Sequence, residues 1–353
     1  MTIDVWQAQI KEAAARSGKL VVRGSGSKAF CAPPASADSV VLDTRAHAGI
    51  VEYEPNELVI VVRTGTSLAD VERAMADAGQ MLAFEPPHFG PGATVGGALA
   101  TALSGPRRPY AGALRDFVLG AKVIDGKGDH LAFGGKVMKN VAGFDVARLL
   151  AGSFGTLGVV TEVAFKCLPR PKAQQTRVFE LDAAAAISAM NRWYAEANPI
   201  TASTWVAGRL YLRLAGAEPA VRAAVAKLGG DLLPDDDSWW RAWCEQQHPF
   251  FAGADETAPL LRVSCKPTAT FGDLANGAER QAMDWGGAQR WLRTQAIALP
   301  AIREWARVEG GFAQVFRGAT IDSERVAPLP AALASVQQKL KQSFDPYNVF
   351  PAL

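Results

Sequence analysis

The chain has 353 residues, a formal net charge of +2, and 49% hydrophobic and 20% charged residues. This length and composition predict two domains of ordinary size, each with a full hydrophobic core. The basic residues are scattered without a polybasic run, which excludes the pattern typical of nucleic-acid-binding proteins. The four cysteines lie far apart. Their spacing offers no disulfide framework, zinc site or iron–sulfur site, so we expect reduced thiols and no bound metal.

The N-terminus lacks the basic region and the apolar region of a signal peptide. The sequence also lacks a stretch of about 18 apolar residues, which a membrane-spanning helix requires. These features predict a cytoplasmic protein that reaches a membrane only through partners.

Short strands and one amphipathic helix are predicted in the first part of the chain. Apolar and β-branched runs predict strands at residues 20–23, 39–43 and 58–63. Residues 66–75 predict a helix, because Ser67 can cap it, apolar residues recur at helical spacing and Gly79 follows its end. Further strands are predicted at residues 117–124, before a turn at residues 125–128, and at residues 157–168.

A domain boundary is predicted near Pro169 and Pro171. Proline cannot continue a strand ladder, so the chain must leave the sheet there. Of the nine tryptophans, Trp6 precedes this point and the others follow it, which predicts larger buried side chains in the second part. We expect a first domain over residues 1–171 and an α+β domain over residues 172–353, whose C-terminal tail can pack back on the first.

The first glycine loop (residues 24–28) follows a predicted strand. Residues 24–29 match the G-x-G-x-x-A dinucleotide fingerprint, with an acidic residue about 20 positions further on. A Rossmann unit needs a crossover helix after this loop, and Pro33 and Pro34 leave too little chain for one. The loop can still bind phosphate, because its small residues expose backbone N–H groups and Arg23 and Lys28 flank it with positive charge. An ordinary tight turn is the alternative.

A second glycine-rich segment, the proline–glycine loop (residues 86–93), leads into a predicted short helix that begins at residues 94–97. The first turn of this helix is bare around Gly96, so we expect free N–H donors and a favourable dipole for a phosphate. Thr94 can cap the helix or bind the ligand. Close packing of the helix on a sheet through Gly96 and Gly97 is a compatible alternative.

The third glycine turn (residues 152–158) feeds a predicted strand, and alone it is compatible with a plain hairpin. In this order, the three glycine clusters resemble the FAD-binding domain of the vanillyl-alcohol oxidase and p-cresol methylhydroxylase superfamily. The similar segments are residues 23–27, 94–101 and 139–162. The resemblance implies an α+β fold, in which a two-subdomain FAD-binding domain of the p-cresol methylhydroxylase (PCMH) type is followed by a smaller α+β cap domain.

A closer similarity is to the family of small flavin-binding subunits of bacterial glycolate oxidase (glycolate dehydrogenase). It is carried by residues 24–30, 78–82, 85–88, 105–109, 115–120, 133–143, 284–288 and 290–292. The resemblance implies that the first glycine loop and residues 94–97 enclose the FAD pyrophosphate, that residues 152–160 line the adenosine end, and that the isoalloxazine ring points at the cap. The residues implied to bind the cofactor are Arg23, Gly24, Ser25, Gly26, Ser27, Lys28, Pro86, Ala93, Thr94, Val95, Gly96, Gly97, Gly105, Gly112, Gly152, Gly155, Gly158 and Val160.

Two departures from the family pattern bear on function. Members that attach flavin covalently in the first loop place a histidine where this chain has Ser27, so we expect non-covalent FAD. The family sequence Gly-Gly-His is replaced here by Gly-Gly-Phe ending at Phe312, and residues 344–353 lack the usual Asn-Pro-Gly-Arg stretch.

Oxidation of a 2-hydroxyacid requires a base for the hydroxyl proton and a cation for the carboxylate, while FAD takes the hydride. His47 and His130 lie in polar turns and are expected at the surface. His88 and His248 are the remaining candidates for a base, although core packing is the better interpretation of His248. The related catalytic subunits carry a metal-binding histidine cluster, and nothing in this sequence resembles one.

Three functions are compatible with these patterns. The favoured one is an FAD-binding subunit of a complex that oxidises glycolate to glyoxylate. The resemblance implies a catalytic flavin subunit and an iron–sulfur subunit as its partners, through which it would lie at the periphery of the inner membrane. The alternatives are a self-sufficient FAD oxidase of a small hydroxyacid or sugar lactone, and a structural subunit that has lost its flavin.

Overall fold

The computed structural model describes residues 2–33, 35–136, 145–253, 258–270, 272, 280–294, 298–318 and 325–352. Contacts between residues divide the chain into two compact units. The first unit comprises Met1–Ser104, Gly112–Arg170 and Leu329–Leu353, and the second comprises Gly105–Ala111 and Pro171–Pro328.

The chain mixes helices and strands throughout, which confirms the predicted α+β class. In chain order, the helices are α1 (Thr2–Arg16), α2 (Leu68–Asp77), α3 (Val95–Thr101), α4 (Arg108–Ala111), α5 (Leu114–Phe117), α6 (Val146–Leu149), α7 (Ala183–Ala195), α8 (Glu218–Leu228), α9 (Asp236–Cys244), α10 (Leu299–Val308) and α11 (Ala331–Phe344). The strands are β1 (Leu20–Arg23), β2 (Val40–Asp43), β3 (Ile50–Glu54), β4 (Val59–Arg63), β5 (Gln80–Met81), β6 (Val118–Ile124), β7 (His130–Gly134), β8 (Val159–Lys166), β9 (Leu168–Pro169), β10 (Ala173–Glu180), β11 (Ile200–Val206), β12 (Arg209–Gly216), β13 (Asp231–Leu232), β14 (Leu260–Ser264), β15 (Arg280–Asp284), β16 (Gln289–Arg293) and β17 (Phe312–Arg317).

The first unit contains a five-stranded antiparallel sheet in the order β3-β4-β8-β6-β7. β4 lies inside this sheet because residues 59–62 are apolar and all buried, as in a strand covered on both faces. β6 and β7 form a hairpin across the predicted turn, where Asp125 Oδ1 accepts from the N–H groups of Lys127 and Asp129, both at 2.9 Å. β1 and β2 form a separate parallel pair.

Helices α1 and α2 of the first unit each bury an apolar face. α2 begins at Ser67, whose Oγ accepts from the Asp70 N–H at 3.1 Å, as the capping pattern predicts. Its apolar stripe is buried, and Gly79, with φ +67°, follows its end. In α1, Trp6 and Ile10 join a core cluster with residues of β1, β2 and the C-terminal segment (residues 345–352).

The two units differ from the predicted division at residue 171 in two segments of the chain. Residues 329–353 belong to the first unit, because the Leu20 N–H donates to the Val349 carbonyl at 2.8 Å and Val349 is fully buried. Residues 105–111 belong to the second unit, where the Gly105 carbonyl accepts from the Trp285 Nε1 at 3.1 Å. The domain limits of the intact protein stay a prediction.

The second unit contains an eight-stranded antiparallel sheet in the order β13-β10-β12-β11-β15-β16-β14-β17. Successive residues of β12 face opposite sides of it. Leu210, Leu212 and Leu214 join the core formed with α7, α8 and α10, whereas Tyr211 stacks on Trp239 of α9 with ring centroids 4.1 Å apart. In the second unit, the tryptophans that are at most 8% exposed are Trp193, Trp205, Trp240, Trp243, Trp285 and Trp291, as expected of a second part with larger core side chains.

Among the helices that the structure describes, none combines the length and the apolar character needed to cross a bilayer.

Candidate functional site

The first glycine loop follows β1 and lies beside the start of α3. A Cβ added at Gly24 would come within 2.4 Å of Thr94 Oγ1, so glycine is required where the two segments meet. Gly26 has φ +79°, and nothing lies within 4 Å of its Cβ position. In the described part of the chain, no acceptor binds the backbone N–H groups of Gly24, Ser25 or Gly26. Adjacent spare donors of this kind form a concavity suited to an anion.

The backbone of His88 fastens the proline–glycine loop to the first glycine loop. Ser27 Oγ donates to the His88 carbonyl at 2.8 Å, and Lys28 Nζ donates to it at 3.2 Å. A Cβ at Gly90 would lie 3.8 Å from the Ser27 Cβ. Lys28 is only 6% exposed, so this contact is made by a buried side chain.

The start of α3 departs from its prediction. Thr94 caps the helix by accepting the Gly97 N–H on Oγ1 at 3.1 Å, which confirms its capping role. The N–H groups of Val95 and Gly96 donate to backbone carbonyls of the β4–α2 connection at 2.9 and 2.8 Å. The prediction that this helix start offers free N–H donors is therefore wrong, because tertiary contacts already supply the acceptors.

The connection between β4 and α2 is the part of the site that sequence reasoning missed. Thr64 is 1% exposed, and its Oγ1 donates to the Val160 carbonyl at 2.6 Å while its own carbonyl accepts from Gly96. A Cβ at Gly65 would lie 2.1 Å from the Thr44 carbonyl oxygen, so only glycine fits. The available signal was the Thr-Gly-Thr sequence between a predicted strand and a predicted helix, since glycine there marks a tight turn.

The third glycine turn packs against β1 and the C-terminal part of α3. The Gly152 N–H donates to the Leu99 carbonyl at 2.9 Å. A Cβ at Gly155, where φ is +73°, would lie 3.3 Å from the Val22 Cβ. Because β1 carries the first glycine loop and α3 begins after the proline–glycine loop, all three glycine clusters lie together in the first unit.

The end of this turn has a packing role. A Cβ at Gly158 would lie 2.4 Å from the Ile124 carbonyl oxygen, so glycine permits β8 to pair closely with β6. Val160 pairs with Val123 of β6 and presents its carbonyl to Thr64. Packing therefore accounts for Gly158 and Val160, and their contact with a cofactor stays a prediction.

The remaining residues predicted to bind the cofactor fall in both units. Pro86 and Ala93 are buried in the proline–glycine loop of the first unit. Gly112 also belongs to the first unit and has φ +112°. Gly105 belongs to the second unit, where its carbonyl accepts an indole N–H.

The diphosphate of FAD fits the first glycine loop on the observations above. The spare N–H groups provide donors, the space at Gly26 admits a ligand, and the exposed Arg23 adds a positive charge beside the loop. A short 3-10 turn at Ala29–Cys31 follows the loop. Within the described residues that separate β1 from β2, no crossover helix is present, so the first glycine loop is not part of a Rossmann unit.

His88 and His248, the two candidates for a catalytic base, lie in different units. His88 Nε2 lies 3.1 Å from Glu72 Oε2. His248 Nδ1 accepts from the Phe250 N–H at 3.2 Å, and its ring packs edge-on against Trp243 with centroids 5.2 Å apart. Burial lowers the pKa of His248, which favours the neutral imidazole at this packed position.

The other two histidines belong to the first unit. The His130 side chain is exposed along β7 except that its Nε2 lies 3.0 Å from Thr161 Oγ1. His47 is only half-exposed, because Trp6 of α1 packs edge-on against its ring with centroids 5.4 Å apart. Burial and the nearby Arg63 guanidinium lower the pKa of His47.

No group of three or more metal-ligating side chains occurs among the residues that the structure describes. The four cysteines are not joined in disulfides. Phe312, which replaces the family histidine, is 52% exposed at the start of β17. Residues 139–143, which carry part of the family similarity, lie outside the described residues.

Comparison with known proteins identifies related chains. Residues 2–134 match the family model described as an FAD binding domain. The chain is 34% identical over 169 residues to glycolate oxidase subunit GlcD of Bacillus subtilis, which covers 47% of this chain and 36% of that protein. An alkyldihydroxyacetonephosphate synthase has a similar fold, with a TM-score of 0.67 over 98% of this chain and 73% of that chain, at 15% identity.

A further relative matches over nearly its whole length. The chain is 44% identical over 342 residues to glycolate oxidase subunit GlcE of Escherichia coli K12, which covers 97% of this chain and 94% of that protein. Together with the FAD-binding domain match, this similarity confirms the expected flavoprotein class. The chain belongs to the family of glycolate oxidase subunit GlcE.

Proposed function

We propose that this chain is the GlcE-type, FAD-binding subunit of a glycolate oxidase complex that converts glycolate to glyoxylate. The observation that carries the proposal is the convergence of three glycine segments around spare N–H donors, in a chain that matches a glycolate oxidase subunit along its length. FAD supplies a hydride acceptor when it is bound. The protein residues supply its binding and orientation.

The first glycine loop would hold the FAD diphosphate. The backbone N–H groups of Gly24, Ser25 and Gly26 would donate to phosphate oxygens, and Arg23 would balance part of the negative charge. The third glycine turn would receive the adenosine end. Ser27 donates its hydroxyl to a backbone carbonyl, and a serine hydroxyl is not a nucleophile comparable to histidine, so the flavin would be held without a covalent bond.

The histidines support a subunit that depends on a partner for substrate chemistry. His88 pairs with Glu72, and His248 packs among aromatic rings. His88 of the proline–glycine loop thus has a carboxylate partner, and His248 is packed within the second unit. We therefore assign this chain to holding a flavin and passing electrons, rather than to independent turnover.

A catalytic flavin subunit of the GlcD type is the proposed main partner. The 34% identity to GlcD over 169 residues supports a complex that contains two subunits with related flavin domains. An iron–sulfur subunit would accept the electrons, since single-electron centres of that kind need cysteine clusters, which this sequence lacks. Any association with the inner membrane would be peripheral and would occur through these partners.

The test is to purify the chain alone and to purify it after co-expression with its GlcD-type and iron–sulfur partners. We expect a visible flavin spectrum from the chain alone, with FAD released by acid, and negligible oxidation of glycolate with a dye acceptor. The co-expressed complex should turn over glycolate. A colourless chain that does not bind added FAD would contradict the flavin role, and full activity of the isolated chain would identify a self-sufficient oxidase.

A further inference from the structure

Lys341, in the last turn of α11, makes a buried connection between distant parts of the first unit. Lys341 is only 9% exposed, whereas the other residues of this helix are mostly exposed. Its Nζ donates to the Thr156 carbonyl at 2.6 Å, to Asp345 Oδ2 at 2.6 Å and to the Phe350 carbonyl at 3.1 Å. An ammonium group has three donors, so each has an acceptor. The ammonium thereby joins the third glycine turn to the C-terminal segment.

Asp345 fixes the other side of this connection. It is fully buried, and its carboxylate accepts from the N–H groups of Val349 and Phe350 at 2.8 and 2.9 Å. A Cβ at Gly126 would lie 2.2 Å from Asp345 Oδ1, so the β6–β7 turn leaves room for the carboxylate only because it has glycine there. The C-terminal segment is therefore built around the Lys341–Asp345 pair.

The energetic consequence is that neither charge can be removed alone without a large effect. Burial lowers the pKa of Lys341, while the Asp345 carboxylate opposes this by favouring the ammonium form. A buried ion that loses its partner remains uncompensated in a low-dielectric surrounding. Thr156 is itself fully buried and donates its Oγ1 to the Ser153 carbonyl at 2.6 Å. The turn that Lys341 holds is consequently a tightly bonded one.

We propose that Lys341 is a positioning residue for the flavin site. Lys341 holds the third glycine turn in the shape that receives the adenosine half of FAD. The inference rests on the proposed function. The C-terminal segment and the cofactor then stabilise one another, because coupling between two sites acts equally in both directions. The C-terminal segment would thus report on flavin occupancy, even though Thr156 and Lys341 are 185 positions apart in sequence.

The first experiment compares two full-length variants with the wild type as apoproteins titrated with FAD. Lys341→Met removes the ammonium and leaves the Thr156 carbonyl without its donor. We expect its FAD dissociation constant to rise tenfold or more, the range associated with loss of a charged hydrogen bond. Val349→Ala is the matched control, because Val349 is fully buried in the same segment and its side chain belongs to the core cluster with α1, β1 and β2. This variant should lose thermal stability and keep its FAD affinity within about twofold, because its backbone hydrogen bonds remain.

The second experiment uses the wild type alone, so it tests the coupling between FAD and the C-terminal segment even if Lys341→Met does not fold. Backbone hydrogen exchange at Val349 and Phe350, whose N–H groups bind Asp345, should slow several-fold when FAD is added. Unchanged exchange in a chain that binds FAD would overturn the positioning role, as would equal loss of FAD affinity in both variants. A wild type that binds no FAD would instead overturn the proposed function.

Discussion

The first glycine loop and the start of α3 are both rich in glycine, but glycine has a different role in each. In the loop it leaves open space, and at the helix start it permits close backbone packing. In the first glycine loop, Gly26 has open space at its Cβ position, and the neighbouring N–H groups have no acceptor in the described part of the chain. At the start of α3, a Cβ on Gly96 would lie 3.0 Å from both the Cβ and the carbonyl oxygen of Thr64. The Gly96 N–H is already bonded to that carbonyl.

This difference teaches that a bare helix start is not by itself an anion site. Glycine can remove a side chain to admit a ligand or to admit another part of the same backbone, and the sequence pattern is the same in both cases. At the start of α3, the β4–α2 connection occupies the donors. The Thr94 cap and the Gly96 contact instead place α3 where its N-terminus borders the first glycine loop.

The largest effect in this comparison is expected from Gly96→Val. Its added atoms would collide with the Thr64 backbone, and overpacking of this kind costs about 2–3 kcal/mol of unfolding free energy. Urea unfolding of the full chain measures it. Gly97→Ala is the control, because its nearest contact is Thr94 Oγ1 at 3.3 Å, and it should change the stability by less than about 1 kcal/mol. Equal stability of both variants and the wild type would show that Gly96 is not a packing glycine.

Gly26→Ala should have a smaller effect on stability but a selective effect on cofactor. The left-handed backbone at φ +79° strains an alanine by about 1 kcal/mol. The methyl group would also enter the space beside the spare donors, so the FAD dissociation constant should rise about tenfold, equivalent to about 1.4 kcal/mol.

Gly79→Ala is the matched control for this substitution, because Gly79 has φ +67° and also has nothing within 4 Å of its Cβ position. It should show the same strain in urea unfolding and unchanged FAD affinity. If both alanine variants weaken FAD equally, the first glycine loop does not form the diphosphate site.

Thr94→Val is expected to lower the unfolding free energy by about 1 kcal/mol, the usual cost of losing a helix cap. Ser67→Ala removes the comparable cap of α2 and should cost a similar amount. Only Thr94→Val should also weaken FAD, by a few-fold, because Thr94 borders Gly24. Fluorescence titration of both variants with FAD separates a local role of Thr94 from a general loss of stability. Equal loss of FAD affinity in both variants would argue against the local role.

The smallest effect concerns pH. In the folded chain, burial lowers the pKa of His47 and of His248 below the ordinary value of 6.5. The unfolded chain then binds more protons, so stability rises with pH across the interval between the folded and unfolded pKa values. Acidification from neutral pH should therefore destabilise the chain, with the loss starting near pH 6.5 and complete below the folded values.

His47→Gln tests this pH dependence in the first unit, and His248→Gln tests it in the second unit. Each should reduce part of the slope of unfolding free energy against pH between about pH 5 and 7. The measurement is urea unfolding at several pH values. Burial and the nearby Lys122 also lower the pKa of His130, so His130→Gln should reduce the slope as well. A slope unchanged in all three variants would show that these histidines titrate alike in the folded and unfolded chains.

The sequence predicted part of the local structure of the first unit. The strands at β1, β2, β4, β6 and β8 and the helix α2 were predicted with ends within about two residues, because β-branched runs, caps and glycine punctuation act locally. α1 was missed although Trp6, Ile10 and Ala13, its buried residues, recur at helical spacing. β3 was also missed, since its mostly exposed residues carry no alternating pattern.

The sequence by itself therefore determined the glycine turns, their order and the flavoprotein family to which they point, because each turn depends on a few neighbouring residues. Only the tertiary structure decided which of the glycine N–H groups remain available. Thr64 lies 32 positions before Gly96, with α2 and β5 between them. Lys341 reaches Thr156 across 185 positions. No local pattern contains such a pair, since its acceptor is a backbone carbonyl that any residue type can supply.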